Sequence, residues 1–512
     1  MSWTEGYVTE IEYTHGYYGE LSPTLQRFAL LVAGFAPPPE QGAYLELGFG
    51  QGLSLAIHAA AAPYEVWGTD FNPSHTAHAA GLLEAAGVTA HPFDDSFAEF
   101  DQRRDLPKFR YAGLHGVWSW ISEENRTHIA AILRRNLLPG GALYISYNTL
   151  PGWSAALSLR DLLSLHAETV GAESQGLTGR IDGALAFAQE LADKGAAYFR
   201  VNPAAAEKLK QISTQNRQYV AHEYFNREWH PSPFAALAEW LQGAKLEFAA
   251  SVHLHEQMGA VSLTPAAQET LRSITHPILR ESVRDFFTNQ QFRRDLFVRG
   301  PRRLSALERR ESLMATRLVL KAPIANVPLT IVTAAGEVKL QEAVYRPILE
   351  SFAKSGYRPM SLGELARLLP NIGPDAIIEA AAVLIGTGNA HPAQPEATVE
   401  KVKTRCKALN REIRKRARSS GEIGFLASPV LGAGIAVNQM NQLFLTARAD
   451  GKKTPEDWAR ATWDILSAQG RAVVREGKAL ATPEENLAEL TSMARNFANG
   501  YLPVLAALGV AE

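Results

Sequence analysis

Cysteine is almost missing from this chain: Cys406 is the only one in 512 residues. That excludes an internal disulfide and a cysteine cluster for a structural metal, so no metal site is expected. A strong charge of either sign is missing too. The 51 basic residues face 53 acidic ones, for a formal net charge of -2, which gives no global pull toward nucleic acid or an anionic membrane. No apolar run is long enough to span a bilayer; the most apolar, from Ile423 to Val437, is too short and too rich in glycine. The opening residues are acidic and aromatic and lack the basic and apolar regions of a signal peptide. The expectation is a cytoplasmic protein with no membrane insertion. Internal repeats and low-complexity tracts are also absent.

What remains is ordinary globular material, 46% hydrophobic and 20% charged. The length suits about three domains at roughly 150 residues each. From about residue 40 to 150, short apolar runs alternate with helical patterns. Ala43–Phe49, Glu65–Thr69, Val88–Pro92, Arg110–Val117 and Ala142–Tyr147 read as strands, with helices over Ala56–Ala62, Thr76–Ala86 and Glu124–Leu138. That alternation predicts an α/β, Rossmann-like parallel sheet of βαβ units. Beyond Trp153 the amphipathic stretches Ala155–Val170, Ile181–Lys194 and Ala204–His222 predict helices. Strand patterns at Arg317–Leu320, Leu329–Val332 and Glu337–Leu340 then precede three helical stretches, with a capping box at Ser361 and Glu364. Over 315–395 this resembles a winged-helix arrangement, and a helical tail follows. The expected division is a catalytic domain at 1–165, a mostly helical middle domain at 166–305 and a C-terminal domain at 306–512.

The strongest motif is Glu46-Leu47-Gly48-Phe49-Gly50-Gln51-Gly52, which follows an apolar strand and opens a helix. Glycines there let the backbone turn sharply and let a ligand approach without a Cβ in the way. Dinucleotide-binding proteins use a similar loop. Three details favour a methyl donor instead: the G-x-G-x-G spacing, the acid Glu46 two residues ahead, and a second acid, Asp70, ending the next strand. Asp70 is placed to accept hydrogen bonds from ribose hydroxyls. Phe71, beside it, is counted with the cofactor set. Asp95 or Ser96 after the third strand would reach the adenine amino group with Phe97 on the ring, although an acid or serine there serves equally well as a helix cap. His115 and Trp118, after the fourth strand, would face the methyl-transfer centre, whereas Trp120 reads as core.

These residues resemble class I S-adenosylmethionine-dependent methyltransferases, as do Leu138-Pro139-Gly140-Gly141 before the fifth strand and Tyr147-Asn148-Thr149-Leu150-Pro151 after it. Tyr13-Thr14-His15-Gly16-Tyr17-Tyr18 and His222-Glu223-Tyr224-Phe225-Asn226 narrow the resemblance. They are similar to bacterial methyltransferases that carry a methyltransferase regulatory domain and are related to rickettsial protein-lysine methyltransferases. The resemblance implies S-adenosylmethionine as cofactor and a protein substrate as partner.

Methyl transfer from a sulfonium mainly needs alignment and exclusion of water, and aromatic faces suit both the sulfonium and an ammonium acceptor. Trp3, Tyr7, Tyr13, Tyr17 and Tyr18 are expected to form a lid. A lysine acceptor must lose its proton first, because its free pKa is about 10.4. Tyr147, Asn148, His222 or Glu223 would orient the amine or relay that proton. His222 is the leading base because histidine titrates near neutrality, and Tyr17 joins the catalytic set from the lid. The fourth strand ends in His115-Gly116-Val117-Trp118, not in an Asn-Pro-Pro-Tyr-like motif, which argues against DNA bases and glutamine as acceptors. Three rivals stand beside protein-lysine methylation: a small-molecule or glycan-linked acceptor, a cofactor-binding module without turnover, and a DNA-binding regulator. The last rests on the winged-helix pattern and on Lys401–Arg418, read as a solvated basic helix with nine basic residues and one acid, Glu412.

Overall fold

A computed structural model of the chain describes residues 15–171 and 176–511. Its largest sheet has seven strands: β1 (Gly42–Leu47), β2 (Tyr64–Thr69), β3 (Ala90–Phe93), β4 (Phe109–Leu114), β5 (Leu137–Asn148), β6 (Leu246–Ser251) and β7 (Phe292–Arg299). They lie in the order β3-β2-β1-β4-β5-β7-β6. The first five run parallel, and β7 is antiparallel to both β5 and β6. Both faces are covered, as a parallel sheet requires. Tyr44, Tyr111 and Tyr144 face the layer of α1 (Pro23–Val32), α2 (Leu53–Ala61) and α3 (Pro73–Ala86). Their neighbours Leu45, Ala112 and Leu143 face α4 (Phe97–Gln102) and α5 (Glu123–Asn136). The alternation is the period-2 pleat of a strand.

The sheet extends past the sequence boundary near residue 165, since β6 and β7 come from the segment expected to be helical. Their polar content hid them. Arg293 and Asp295 sit inside β7, and both are buried. Arg293 pairs with Asp295 and with Asp285 and Glu281 on helix Pro277–Thr288.

Between β5 and β6 the chain makes a helical excursion with its own core around Trp120, Trp153, Leu163, Leu185 and Trp229. The single helix expected over Ala204–His222 is two helices, Pro203–Thr214 and Arg217–Tyr224. The break has a local cause. Gln215 is extended, and the Asn216 side chain accepts from the N–H of Gln218, restarting the helix with a cap.

The C-terminal part has no such separate core; it shares the apolar layer that covers α2. The Ile423–Val437 run is a hairpin, Phe425–Ser428 with Ala433–Ala436, and the next helix begins at Gln439, capped by Asn438. The basic stretch is helix Glu396–Arg416, and it is not simply solvated: Val402, Cys406, Leu409 and Ile413 are buried. The last carbonyls of α2, which no intrahelical donor can reach, are capped by this region. Gln394 Nε2 donates to Ala61 O (2.8 Å), Arg405 Nη2 to Ala62 O (3.0 Å) and Cys406 Sγ to Ala60 O (3.5 Å).

In the expected winged-helix region, helices Glu342–Lys354, Leu362–Leu368 and Pro374–Gly386 form as read, with the capping box of Ser361 and Glu364. The hairpin Thr330–Thr333 with Gly336–Lys339 also forms, but as a separate two-stranded sheet. Along the third helix, Ile377 and every residue from Ala380 to Ile385 are buried. Among the described residues, no helix is long and apolar enough to cross a membrane.

Candidate functional site

The strand order reverses between β1 and β4, so the loops after these strands open a crevice at the carboxyl edge of the sheet, where open α/β folds bind ligands. The glycine loop leaves β1 there. Gly48, Gly50 and Gly52 have φ of 71, 56 and 73°, the left-handed region that glycine enters freely. Space demands glycine as well: a Cβ on Gly48 would lie 2.6 Å from Val117 Cγ2, and one on Gly52 2.4 Å from Ala79 Cβ.

Asp70 follows β2 and points at this loop. The Gly50 N–H donates to its Oδ2 (2.8 Å), and the Asn72 N–H donates to Oδ1 (3.1 Å). His75 Nδ1 lies 3.0 Å from Oδ1. Phe71 is half-buried beside it. Glu46 is almost fully buried, and burial pushes its pKa up to about 8 against the hydrogen bond from the Tyr44 hydroxyl (3.2 Å). These residues form one cradle.

After β4, His115 lies under the Tyr18 ring, centroids 3.8 Å apart, and its Nδ1 is 2.8 Å from the Tyr144 hydroxyl. Burial brings its pKa down to about 4, so the imidazole is neutral. Tyr17 points elsewhere: its hydroxyl is 3.3 Å from His58 Nε2 of α2, and its ring meets Phe425. Trp3, Tyr7 and Tyr13 of the expected lid lie outside the described residues.

Several candidates have other employment. Trp118 is completely buried, edge-on to Trp240 in the core, and so does not line a cleft. The Tyr147 hydroxyl, equally buried, donates to Asp295 Oδ2 (2.9 Å) in the Arg293 network. β5 alternation sends it to the face opposite Tyr144 and His115. Asp95 is paired with Arg103. Ser96 caps α4 in a capping box with Glu99, and Phe97 opens that helix. Asn148 is buried, its N–H donating to Ser119 Oγ (2.9 Å). Trp120 is core, as read.

His222 is buried in helix Arg217–Tyr224. Its neighbour Glu223 has the more telling environment: burial raises its pKa to about 7, opposed by Lys208. The Lys208 ammonium lies 4.4 Å over the Trp153 ring. Tyr219, on the same helix, is close enough to Tyr18 and Glu223 for their charges to interact. The helical excursion thus meets the crevice at Tyr18. Sequence reading missed Tyr219 and the cluster of Glu20, His253 and Arg294 beyond Tyr18. No local spacing signals them, because they come from three distant segments.

This sheet order, with a glycine loop after β1 and an acid after β2, is the class I S-adenosylmethionine-dependent methyltransferase fold. The chain belongs to the family of the uncharacterized Synechocystis protein sll1526, with which it is 41% identical over 516 residues, covering 100% of each chain. Residues 216–299 match the model of a predicted methyltransferase regulatory domain. An uncharacterized Rickettsia prowazekii protein, RP789, is 27% identical over 304 residues, 56% of this chain and 51% of that one. The solved structure of PKMT2 from Rickettsia typhi in complex with AdoHcy superposes with a TM-score of 0.70 at 19% identity, covering 97% of this chain and 100% of that one.

Proposed function

We propose that the protein transfers a methyl group from S-adenosylmethionine to lysine side chains of a protein substrate. The observation that carries this reading is the meeting of the glycine cradle with an aromatic wall that holds a carboxyl group near neutral pKa. S-adenosylmethionine supplies the methyl group when bound, and the residues present fit it: the glycine loop leaves room beside its backbone, and Asp70 already faces that loop. Glu46, Gly48, Gly50, Gly52, Asp70 and Phe71 would hold it, with His115 beside the reacting end.

On the acceptor side, Tyr18 and Tyr219 offer ring faces to an ammonium. Burial near them disfavours the charged amine and helps it lose its proton. Glu223, with a pKa of about 7, is matched to take that proton at physiological pH. It displaces His222 as the preferred base, and Asn148 remains an orienting candidate. The division proposed is a catalytic sheet, a helical excursion as acceptor wall and a C-terminal part that braces the cofactor side. The rickettsial PKMT2 supports this reading through its fold and its bound AdoHcy. The single cysteine supports a cytoplasmic location. The burial of helix Pro374–Gly386 speaks against its use in a DNA groove.

The test is transfer of radiolabelled methyl from the cofactor into lysate separated into protein and small-molecule pools, followed by hydrolysis of the protein pool. Label in methylated lysine is expected. Label confined to the small-molecule pool would overturn the acceptor.

A further inference from the structure

Gly48, Gly50 and Gly52 have no side chains to pack, and glycine loses more conformational freedom on ordering than any other residue. The glycine loop therefore depends on side chains from elsewhere to fix it. Asp70 takes the Gly50 N–H (2.8 Å). His78, on α3, takes the next peptide group: its Nδ1 lies 2.7 Å from the carbonyl oxygen of Gln51, between Gly50 and Gly52. A bound ribose would share Asp70 with the Gly50 N–H, which leaves more of the loop's position to His78. One turn earlier on α3, His75 holds Asp70 itself, Nδ1 to Oδ1 at 3.0 Å. One helix thus steadies both halves of the cradle.

The partners of His78 settle where its proton sits. A carbonyl oxygen only accepts, and an arginine only donates. Arg416 Nη1 lies 2.9 Å from the other ring nitrogen of His78, Nε2. One neutral tautomer satisfies both contacts: Nδ1–H donates to Gln51 O, and Nε2 accepts from Arg416. Burial lowers the His78 pKa, the Gln51 carbonyl raises it, and the charges of His15, Arg416 and His75 lower it, for a net fall below the ordinary histidine value. The ring is therefore neutral at physiological pH.

Arg416 comes from a distant part of the chain. It ends helix Glu396–Arg416, which packs across α2 and α3, and its Nε donates to Glu412 Oε1 (3.0 Å) one turn back. Its guanidinium passes Gly81 of α3, where a Cβ would stand 3.8 Å from Nη2. From the N-terminal side, the His15 ring meets His78 edge-on, centroids 4.7 Å apart.

We propose that His78 is a positioning residue for S-adenosylmethionine, and that Arg416 acts through it to couple the C-terminal helix to the glycine loop. This rests on the glycine loop as the cofactor cradle and is independent of the methyl acceptor. The C-terminal part then grips α2 at both ends: at its last carbonyls through Gln394, Arg405 and Cys406, and at the loop that opens it through Arg416 and His78.

Calorimetric titration of S-adenosylmethionine into the full chain and its variants tests this. His78→Ala is expected to weaken binding about threefold to tenfold, the loss of one hydrogen bond. His78→Asn, whose amide N–H stands where Nδ1 does, is expected to restore most of that loss, which a role in packing alone would not allow. Arg416→Met is expected to weaken binding about twofold or more by itself and to add nothing in the His78→Ala background, because contacts in one chain of hydrogen bonds are not additive. Nitrogen-15 shifts of the labelled histidines, which need no variant to fold, are expected to show His78 neutral and protonated on Nδ1 at pH 7.5. Unchanged binding in His78→Ala would overturn the proposal, as would an asparagine variant as weak as the alanine one, an additive effect of Arg416→Met, or a proton on Nε2. Asp70→Ala keeps the two readings apart. If it weakens binding and His78→Ala does not, this inference alone fails; if it leaves binding unchanged, the cradle is elsewhere and the inference falls with it.

Discussion

Glu46 lies beneath the glycine loop with one hydrogen bond, from Tyr44, and a pKa of about 8. At pH 7 it is therefore mostly protonated. A cationic ligand in the cradle favours the carboxylate and lowers that pKa, so cofactor binding at pH 7 should release close to one proton. Calorimetry in buffers of different ionisation enthalpy measures this, and Glu46→Gln should abolish the release. The same group shapes stability. Its pKa is raised on folding, so its contribution is intact below the ordinary glutamate range and is lost as pH rises through about 8. The variant should therefore show a flatter decline in melting temperature between pH 5 and pH 8.5. Asp70→Ala removes a charged hydrogen-bond acceptor, worth about 1.5–3 kcal/mol, so cofactor affinity should fall roughly tenfold to a hundredfold; unchanged affinity would remove Asp70 from the site. At this scale the cradle was legible in the sequence, because left-handed glycines and an acid at a strand end are local requirements. Trp118 and Tyr147 were not, because which strand face a ring takes, and what waits there, is decided by packing. His222 was preferred to Glu223 on free pKa values, and burial reverses that preference by bringing Glu223 to about 7.

β7 shows why a whole element can escape sequence reading. Strand patterns are sought as apolar runs, and Phe292-Arg293-Arg294-Asp295 breaks one. Folding neutralises the break: Arg293 is surrounded by Asp295, Asp285 and Glu281, with Tyr147 hydrogen-bonded to Asp295. Removing one partner of such a buried set strands the others, at a cost of about 3–5 kcal/mol. Arg293→Met should lower unfolding free energy by that order in a denaturant titration, and a loss below about 1 kcal/mol would contradict the network. The earlier strands were legible because their apolar residues are continuous, as expected of strands buried on both faces. The split at Gln215–Asn216 was missed because an asparagine cap inside a polar helical pattern gives little signal.

At the scale of the molecule, the helical excursion keeps a core of its own, whereas the C-terminal part completes the layer over α2. α2 begins at the glycine loop and ends under Gln394, Arg405 and Cys406. Arg405 also places positive charge at the negative end of the helix dipole. Arg405→Ala, remote from the cradle, should weaken cofactor binding through the helix by about 0.5–2 kcal/mol, the size typical of coupling between sites. Reciprocity then requires the cofactor to protect the tail's amides from hydrogen exchange. A protein cut after residue 305 would leave three main-chain oxygens bare and an oily flank of α2 in water, so the donor-binding half is expected to be insoluble when expressed without its tail.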